Sequence, residues 1–531
     1  MRCILSLLLC VLLAAEPSVA AFYYPTAQVS LLDHILVDNW GAYASNFSSA
    51  ITPCTNYVTE VGEPALISGR TTAAQWIRVA FHDYVTANVT AGTGGLDASI
   101  GFETLRSENS GSAMNDSFTF WRPFMNDAVS MSDLVAIGTV MSMSLCGGHK
   151  LPFRPGRVDA MAADPTTGVP APETDLNTTL LYFARAGFDR SDAIGLTACG
   201  HTMGSVHHGG FPDVVPVSAV TANNTNGGIN FDTTRGVFDP LVVHEYIDWT
   251  GHMGGPLVTT DNVTTRSDLR LYESDSNSTM RALYAQGEGF LDTCVNLMGR
   301  MVNTVPSGVT LGDPIQPMLI KPINVTYDFS TDGNLTLSGR IRVLTSAGET
   351  APSYLTLKAG SSNQQLTSEA ETGTSVFGAN IKSTASAYGT TTYFPFIIAG
   401  RQTAGAKSFT ISWPGRKTAT FPIQDDVFVV PSATEISGTV INATVAARSG
   451  INGGAYSIQI AAPTAQMGTL GPKVIRATLN MRRLPGMNDG YALWQGSVDL
   501  GKVPTGLVSV SVMREGATID TFMVNPGAAG W

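Results

Sequence analysis

The sequence predicts a mainly α-helical domain followed by an all-β, sandwich-like region, and three observations carry that expectation. Up to about Asn303, apolar residues recur at helical spacing between long loops rich in Gly, Asn and Thr. After Pro306 the texture changes to short alternating runs cut by Gly, Pro and Ser turns. Cys54, Cys146, Cys199 and Cys294 all precede Val302, so cysteine usage changes where the periodicity does. The expected division is a signal peptide over 1–20, a helical domain over 21–305, and a β-rich region over 306–531 with room for two sandwiches.

Taken in order, the chain opens on Met1 and Arg2, an apolar run from Cys3 to Ala15, and small residues at Ser18-Val19-Ala20. That pattern reads as a secretory leader rather than a membrane span. Charged residues are only 14% of the 531 residues, against roughly a quarter in an average soluble domain. Ten N-x-S/T sequons, at Asn46, Asn88, Asn115, Asn177, Asn223, Asn262, Asn277, Asn324, Asn334 and Asn442, offer sugar as the missing solvation of a secreted glycoprotein. The formal charge of −11 excludes nucleic acid and anionic membranes as stable partners, because nothing would neutralise their phosphates. In an oxidising compartment the four later cysteines suggest two disulfides, with three pairings open.

Thr72 to Val85 is expected to be a helix, with Ala74, Ile77, Phe81 and Tyr84 as one apolar stripe. Arg78 and His82 stand one turn apart on it. The guanidinium favours the neutral imidazole, so the pair offers a base beside an anion-stabilising cation. Asp83 follows, then Gly95-Leu96-Asp97-Ala98-Ser99, a loop of hard oxygen donors suited to calcium. A helix over Ser132 to Leu145 ends at Gly147-Gly148, and another opens near Ser191 and runs into Gly200-His201-Thr202. Asp232, Thr234 and Asp239 form a second oxygen-rich loop, and Phe290, Cys294, Leu297 and Met301 mark a further helix. Beyond it, Leu335 to Val343, Ser408 to Trp413, Thr439 to Val445 and Val508 to Met513 read as strands.

Arg78-Val79-Ala80-Phe81-His82-Asp83, Gly95-x-Asp97-x-Ser99, Gly200-His201-Thr202 and Phe231-Asp232-x-Thr234-x-x-x-Phe238-Asp239 occur in one order. This set resembles the plant, fungal and bacterial haem peroxidase superfamily, in the flavour of its secreted fungal class II members, over about Asn39 to Asn303. Weaker echoes are Ser132-Asp133-Leu134, Gly156-Arg157-Val158-Asp159, Val169-Pro170-Ala171-Pro172 and Ser267-Asp268.

The resemblance implies haem b and two calcium ions. It makes His82 the distal acid–base residue, Arg78 its charge-stabilising partner, Phe81 a distal wall, and Asn109 the holder of the second His82 nitrogen. His201 becomes the iron ligand, supported by Asp268 and by Phe231 where class I relatives carry tryptophan. One calcium would take Asp83, Gly95, Asp97 and Ser99, and the other Thr202, Asp232, Thr234, Val237 and Asp239. Thr71, Gln75 and His207 stand at the family's manganese positions and Leu196 at its surface tryptophan. The haem edge near Pro170 is then the expected site for small phenols. Resemblance also implies a Cys54–Cys146 bridge, which leaves Cys199 with Cys294.

The expected activity is hydrogen peroxide-dependent oxidation of phenolic or other small one-electron donors. The alternative is a non-catalytic secreted haem- or glycan-binding protein that keeps the fold. The β-rich region, without cysteine or histidine, carries no catalytic set and would contact polysaccharide or protein. For Trp413, Trp494, Trp76 and Trp121, core packing is the plainer role.

Overall fold

A computed structural model describes residues 22–527 apart from 42, 59–66, 110, 166, 347–348, 370–384, 387, 417, 451–455 and 487. The leader expected at 1–20 lies outside the described residues.

Eleven helices are used below to place the site. They are α1 (Ala27–Val37), α2 (Thr72–Tyr84), α3 (Ala113–Trp121), α4 (Met131–Leu145), α5 (Leu176–Arg185) and α6 (Arg190–Gly200). After them come α7 (Leu241–Asp248), α8 (Pro256–Thr259), α9 (Ser267–Tyr272), α10 (Ser278–Gln286) and α11 (Phe290–Asn303). Their ends follow local chemistry. Ser130 caps α4 by accepting the Asp133 N–H, and Asp189 with Asp192 makes a reciprocal capping box on α6.

Three residues of the expected α2 stripe, Ala74, Ile77 and Phe81, share one face, and Tyr84 lies in the core. Ala74, Arg78, Phe81 and His82 face a cavity, whereas Ala73, Trp76, Ala80 and Tyr84 are buried in the core. The helix has two occupied faces, with apolar residues on both. Trp76 packs at a tilt among Phe47, Phe120 and Trp121 at ring separations of 5.1–5.5 Å. Both tryptophans are core residues, and with α4 they fix the height and rotation of α2.

The disulfides are Cys54–Cys146 and Cys199–Cys294. The second joins the end of α6 to α11. Gly195 is small for the same contact: a Cβ there would stand 2.7 Å from Leu297 Cδ1.

From Ile320 onward the described residues form antiparallel sheets. Ile320–Phe329, Leu335–Thr345 and Gly389–Ala399 are successive neighbours, with Ala385–Ser386 at the edge. Facing them is the order Ala419–Pro422, Ser408–Ser412, Tyr354–Ala359, Ser362–Thr367, and the two sheets share a core that includes Leu337, Ile341, Leu357, Phe394 and Ile411. A second sandwich packs Val427–Val429, Val440–Arg448, Tyr491–Asp499 and Arg482–Arg483 against Lys473–Leu479, Tyr456–Thr464, Val508–Arg514 and Ala517–Val524. Val427 and Val429 point into this core, while Phe428 and Val430 point into the first. Burial on both faces explains the unbroken apolar run there. Trp413 is buried in the first core, and Trp494 packs against the second.

The β region is fastened to the helices by buried charge. Asp33 and Asp38 on and after α1 meet Lys321 and Arg342 of the first sandwich, at 2.8 Å for Lys321 Nζ–Asp33 Oδ1 and 2.6 Å for Arg342 Nη1–Asp33 Oδ1. Burial alone would raise the Asp33 carboxyl, but the two cations hold it below its usual range. Among the described residues no helix is long and apolar enough to cross a membrane.

Candidate active site

A cavity of about 550 Å³ lies between α2, α6, α9 and α11, and His82 and His201 both line it. Its walls include Phe81, Val169, Phe183, Leu271, Met298 and Met301. Phe183, on α5, packs its ring 5.8 Å from Phe81.

On the α2 side, the His82 Nδ1–H donates to Asn109 Oδ1 at 2.7 Å. The amide orientation is set because Asn109 Nδ2 donates to the Glu103 carbonyl at 3.1 Å. That fixes the tautomer and leaves Nε2 as an acceptor. Burial and the Arg78 charge push the imidazole down to about 3, although the Asn109 bond works the other way. His82 is therefore neutral through the physiological range. Burial and the charge of Arg70 lower Arg78 to about 10, so its guanidinium remains cationic at neutral pH.

On the α6 side, His201 is the residue where the helix stops, with its N–H still bonded to Thr197 C=O at 2.9 Å. Its Nδ1–H donates to Asp268 Oδ2 at 2.7 Å, and Phe231 stacks on its ring at 4.1 Å with an interplanar angle of 7°. The carboxylate orients the ring and fixes its tautomer. An imidazole with one nitrogen held by a carboxylate and the other free could ligate a metal, and apolar aromatic walls suit a flat macrocycle. These residues fit an iron porphyrin. Pro170 also lines this cavity.

The two oxygen-rich loops are both folded into compact clusters. Asp83, fully buried, accepts the N–H groups of Asp97, Ala98 and Ile100 at 2.8–3.0 Å. Burial and Asp97 raise its carboxyl well above the ordinary range, and burial with Asp164 nearby raises Asp97 to about 6. Gly95 has φ +108°, and a Cβ there would stand 2.6 Å from the Thr304 carbonyl oxygen. In the second loop Thr234 Oγ1 lies 3.0 Å from Asp232 Oδ1 and 2.9 Å from Asp239 Oδ2, and Thr202 Oγ1 donates to the Asp239 carbonyl. Asp232 Oδ2 is buried with no hydrogen-bond partner, and burial pushes this carboxyl up to about 7. Among the described residues no three His, Cys, Asp or Glu side chains gather as a metal cluster. Each loop instead brings two carboxylates and several neutral oxygens, a donor set of hard-cation type. Val237 is on the second loop, and because its side chain has no donor atom only its carbonyl could serve.

Sequence reasoning missed Arg70. Its guanidinium bonds Gln75 Oε1 at 2.6 Å and Ser112 Oγ at 2.7 Å, and lies over the Tyr57 ring. The signal was a cation one residue before the α2 N-cap, which gives no periodicity to read. Gln75 also donates to Ser117 Oγ at 3.1 Å, and His207 Nε2 sits 3.2 Å from the Gly69 carbonyl. Thr71, Gln75 and His207 thus border the cavity beside a guanidinium, not as an anionic set.

Residues 58–287 match the family model described as Peroxidase. The chain is 37% identical over 326 residues to a WSC domain-containing protein of Arthroderma benhamiae, covering 60% of this chain and 43% of that protein. It is 34% identical over 145 residues to L-ascorbate peroxidase 5, peroxisomal, of Arabidopsis thaliana, covering 27% and 51%. To the mitochondrial cytochrome c peroxidase of Cryptococcus neoformans var. neoformans it is 30% identical over 159 residues, covering 28% and 41%. The chain spans about half or less of the length of these relatives. The matched residues include both histidines that face the cavity, His82 and His201, and their Nδ1 partners Asn109 and Asp268. Residues 58–287 are thus similar to the peroxidases, and the chain carries an additional C-terminal β region.

Proposed function

We propose that this chain is a secreted, glycosylated haem peroxidase that reduces hydrogen peroxide and oxidises phenolic or other small one-electron donors near Pro170. One observation carries the reading most: His82 and His201 share a cavity, each with Nδ1 tied to its own partner and Nε2 left over. His201 would hold haem b, which when bound would store the two oxidising equivalents taken from hydrogen peroxide and pass them one at a time to the reductant.

The chain's own residues do the rest. Neutral His82 Nε2 accepts a proton from one oxygen of the entering peroxide and returns it to the oxygen that leaves. Arg78 stabilises the negative charge that develops between those two transfers, at a buried site where a charge acts strongly. Asn109 keeps the His82 ring in the receiving tautomer, and Asp268 does the same for His201. Phe81 and Phe183 exclude water from the distal side.

Secretion is supported by the N-terminal pattern and by the two disulfides. Glycosylation is supported by the placement of the sequons: Asn115, Asn177, Asn223, Asn262, Asn324 and Asn334 are exposed, and the other four are partly exposed. Steady-state assays test the donor. A simple phenol is expected to be consumed in the presence of peroxide, whereas manganese(II) is not, because the matching positions hold no carboxylate. Turnover of manganese(II) but not of the phenol would overturn the assignment.

Two calcium ions belong to the same reading, held by Asp83, Gly95, Asp97 and Ser99, and by Thr202, Asp232, Thr234, Val237 and Asp239. Their effect has a definite sign. A carboxyl whose folded value is raised, such as Asp232 near 7 or Asp97 near 6, stabilises the metal-free fold below its unfolded value of about 4. That contribution is lost as pH rises through the folded value. Chelation is therefore expected to leave Tm nearly unchanged at pH 4.5 and to lower it by several degrees at pH 7.5. Equal calcium dependence of Tm at both values would contradict the assignment of these carboxylates.

A further inference from the structure

The second β-sandwich grips the helical domain at both ends of the segment that carries Asn109. At the near end, the Leu470 N–H donates to the Gly101 carbonyl at 2.9 Å. A Cβ at Gly101 would stand 3.0 Å from both Thr469 Oγ1 and Phe118 Cε1, so the loop is seated on the backbone itself. At the far end, Gly506 lies against the turn after α3. A Cβ there would stand 2.4 Å from the Met125 carbonyl oxygen and 2.8 Å from that of Pro123. Its φ is outside the left-handed region, so glycine serves close approach and nothing else. Arg476 of the same sandwich pairs with Asp127, and Leu507 is buried in the core of the helical domain.

One loop is tied to its own sandwich and the other is closed on itself. Thr505 N–H donates to the Pro463 carbonyl at 2.8 Å, and Gln466 Nε2 to the Gly471 carbonyl at 3.1 Å. Between the two grips lie Glu103, whose carbonyl orients Asn109, then Asn109 itself, and Ser112, which holds Arg70. Within this segment α3 ends on Trp121, packed 5.2 Å from Trp76 of α2. The segment that orients His82 is thus fixed from outside the helical domain.

We propose that the second β-sandwich is a positioning element for the distal side: pinning residues 101–125 at Gly101 and at Arg122–Met125, it holds Asn109 against His82 Nδ1. The proposal rests on the distal reading of His82. Its physical basis is preorganisation, since a side chain held by a segment free at either end would sample poorer geometries before each proton transfer.

Gly506→Val in the full chain is the test, a wedge that touches no residue of the cavity. Amide exchange over 101–112 is expected to quicken, while exchange over α6 and α9 stays as it was. The His82 Nδ1–H resonance, protected by Asn109, is expected to broaden, and the haem-loaded protein should react with peroxide about tenfold more slowly. Arg340→Ala, which cuts the contact of the first sandwich with Tyr43, is expected to change none of these. If Gly506→Val fails to fold, Arg476→Ala removes only the pair with Asp127, and the same local readouts apply. Unchanged exchange and resonance, or equal loosening of proximal and distal segments, would overturn the brace. A wild-type chain inert to peroxide would instead remove the distal reading, with exchange and resonance still deciding whether the sandwich pins Asn109.

Discussion

His82→Ala is expected to slow reaction with hydrogen peroxide by roughly 10²–10⁴-fold, the usual contribution of a positioned acid–base group. The residue is buried, neutral and held through Nδ1, so its replacement removes the proton relay without touching His201 or Asp268. Haem retention and the absorption features set by the proximal ligand should persist. The pH profile adds a second arm. With the imidazole pushed down to about 3, the base form persists into acid, so the wild-type rate should stay level from neutral pH to about pH 4 and fall only near 3. A midpoint near the ordinary histidine value would show that burial and Arg78 do not act on His82 as the geometry requires.

Asp33→Ala is expected to destabilise the chain by about 3–5 kcal/mol, measured by urea unfolding. The deletion leaves Lys321 and Arg342, both buried, with only Asp38 between them. Lys321 Nζ keeps the Ser30 carbonyl at 2.7 Å, a weak substitute for an anion. The double change Asp33→Ala with Lys321→Met should recover much of the loss, because a buried pair replaced by apolar groups is close to neutral whereas a broken pair is not. A loss under about 1 kcal/mol for Asp33→Ala would mean that water reaches this junction.

Much of the site was readable where chemistry and local periodicity coincide. Arg78 and His82 are four apart on a helix, and Gly200-His201-Thr202 falls at the end of α6 as expected. Asp268 was different: it lies 67 residues from His201, and only the family resemblance suggested their bond. Arg70 gave no pattern because its partners, Gln75, Ser112 and Tyr57, come from three segments. The apolar stripe of α2 was legible at Ala74, Ile77 and Phe81, whereas Tyr84 belongs to the second face of a helix packed on both sides. In the β region, alternation and turns located strands such as Leu335–Thr345 and Val508–Arg514 to within a residue or two. The docking of the second sandwich was invisible. Gly506 looks like any loop glycine until the Met125 carbonyl is found against it.

Stopped-flow absorption of the haem-loaded protein mixed with one equivalent of hydrogen peroxide tests the central assignment most directly. The expected result is a Soret band that loses intensity and shifts within milliseconds, then returns when a phenol is added. A Soret band that ignores peroxide would contradict the assignment of His82 and Arg78 as peroxide-cleaving residues, and a protein that acquires no Soret band would contradict His201 as the haem ligand.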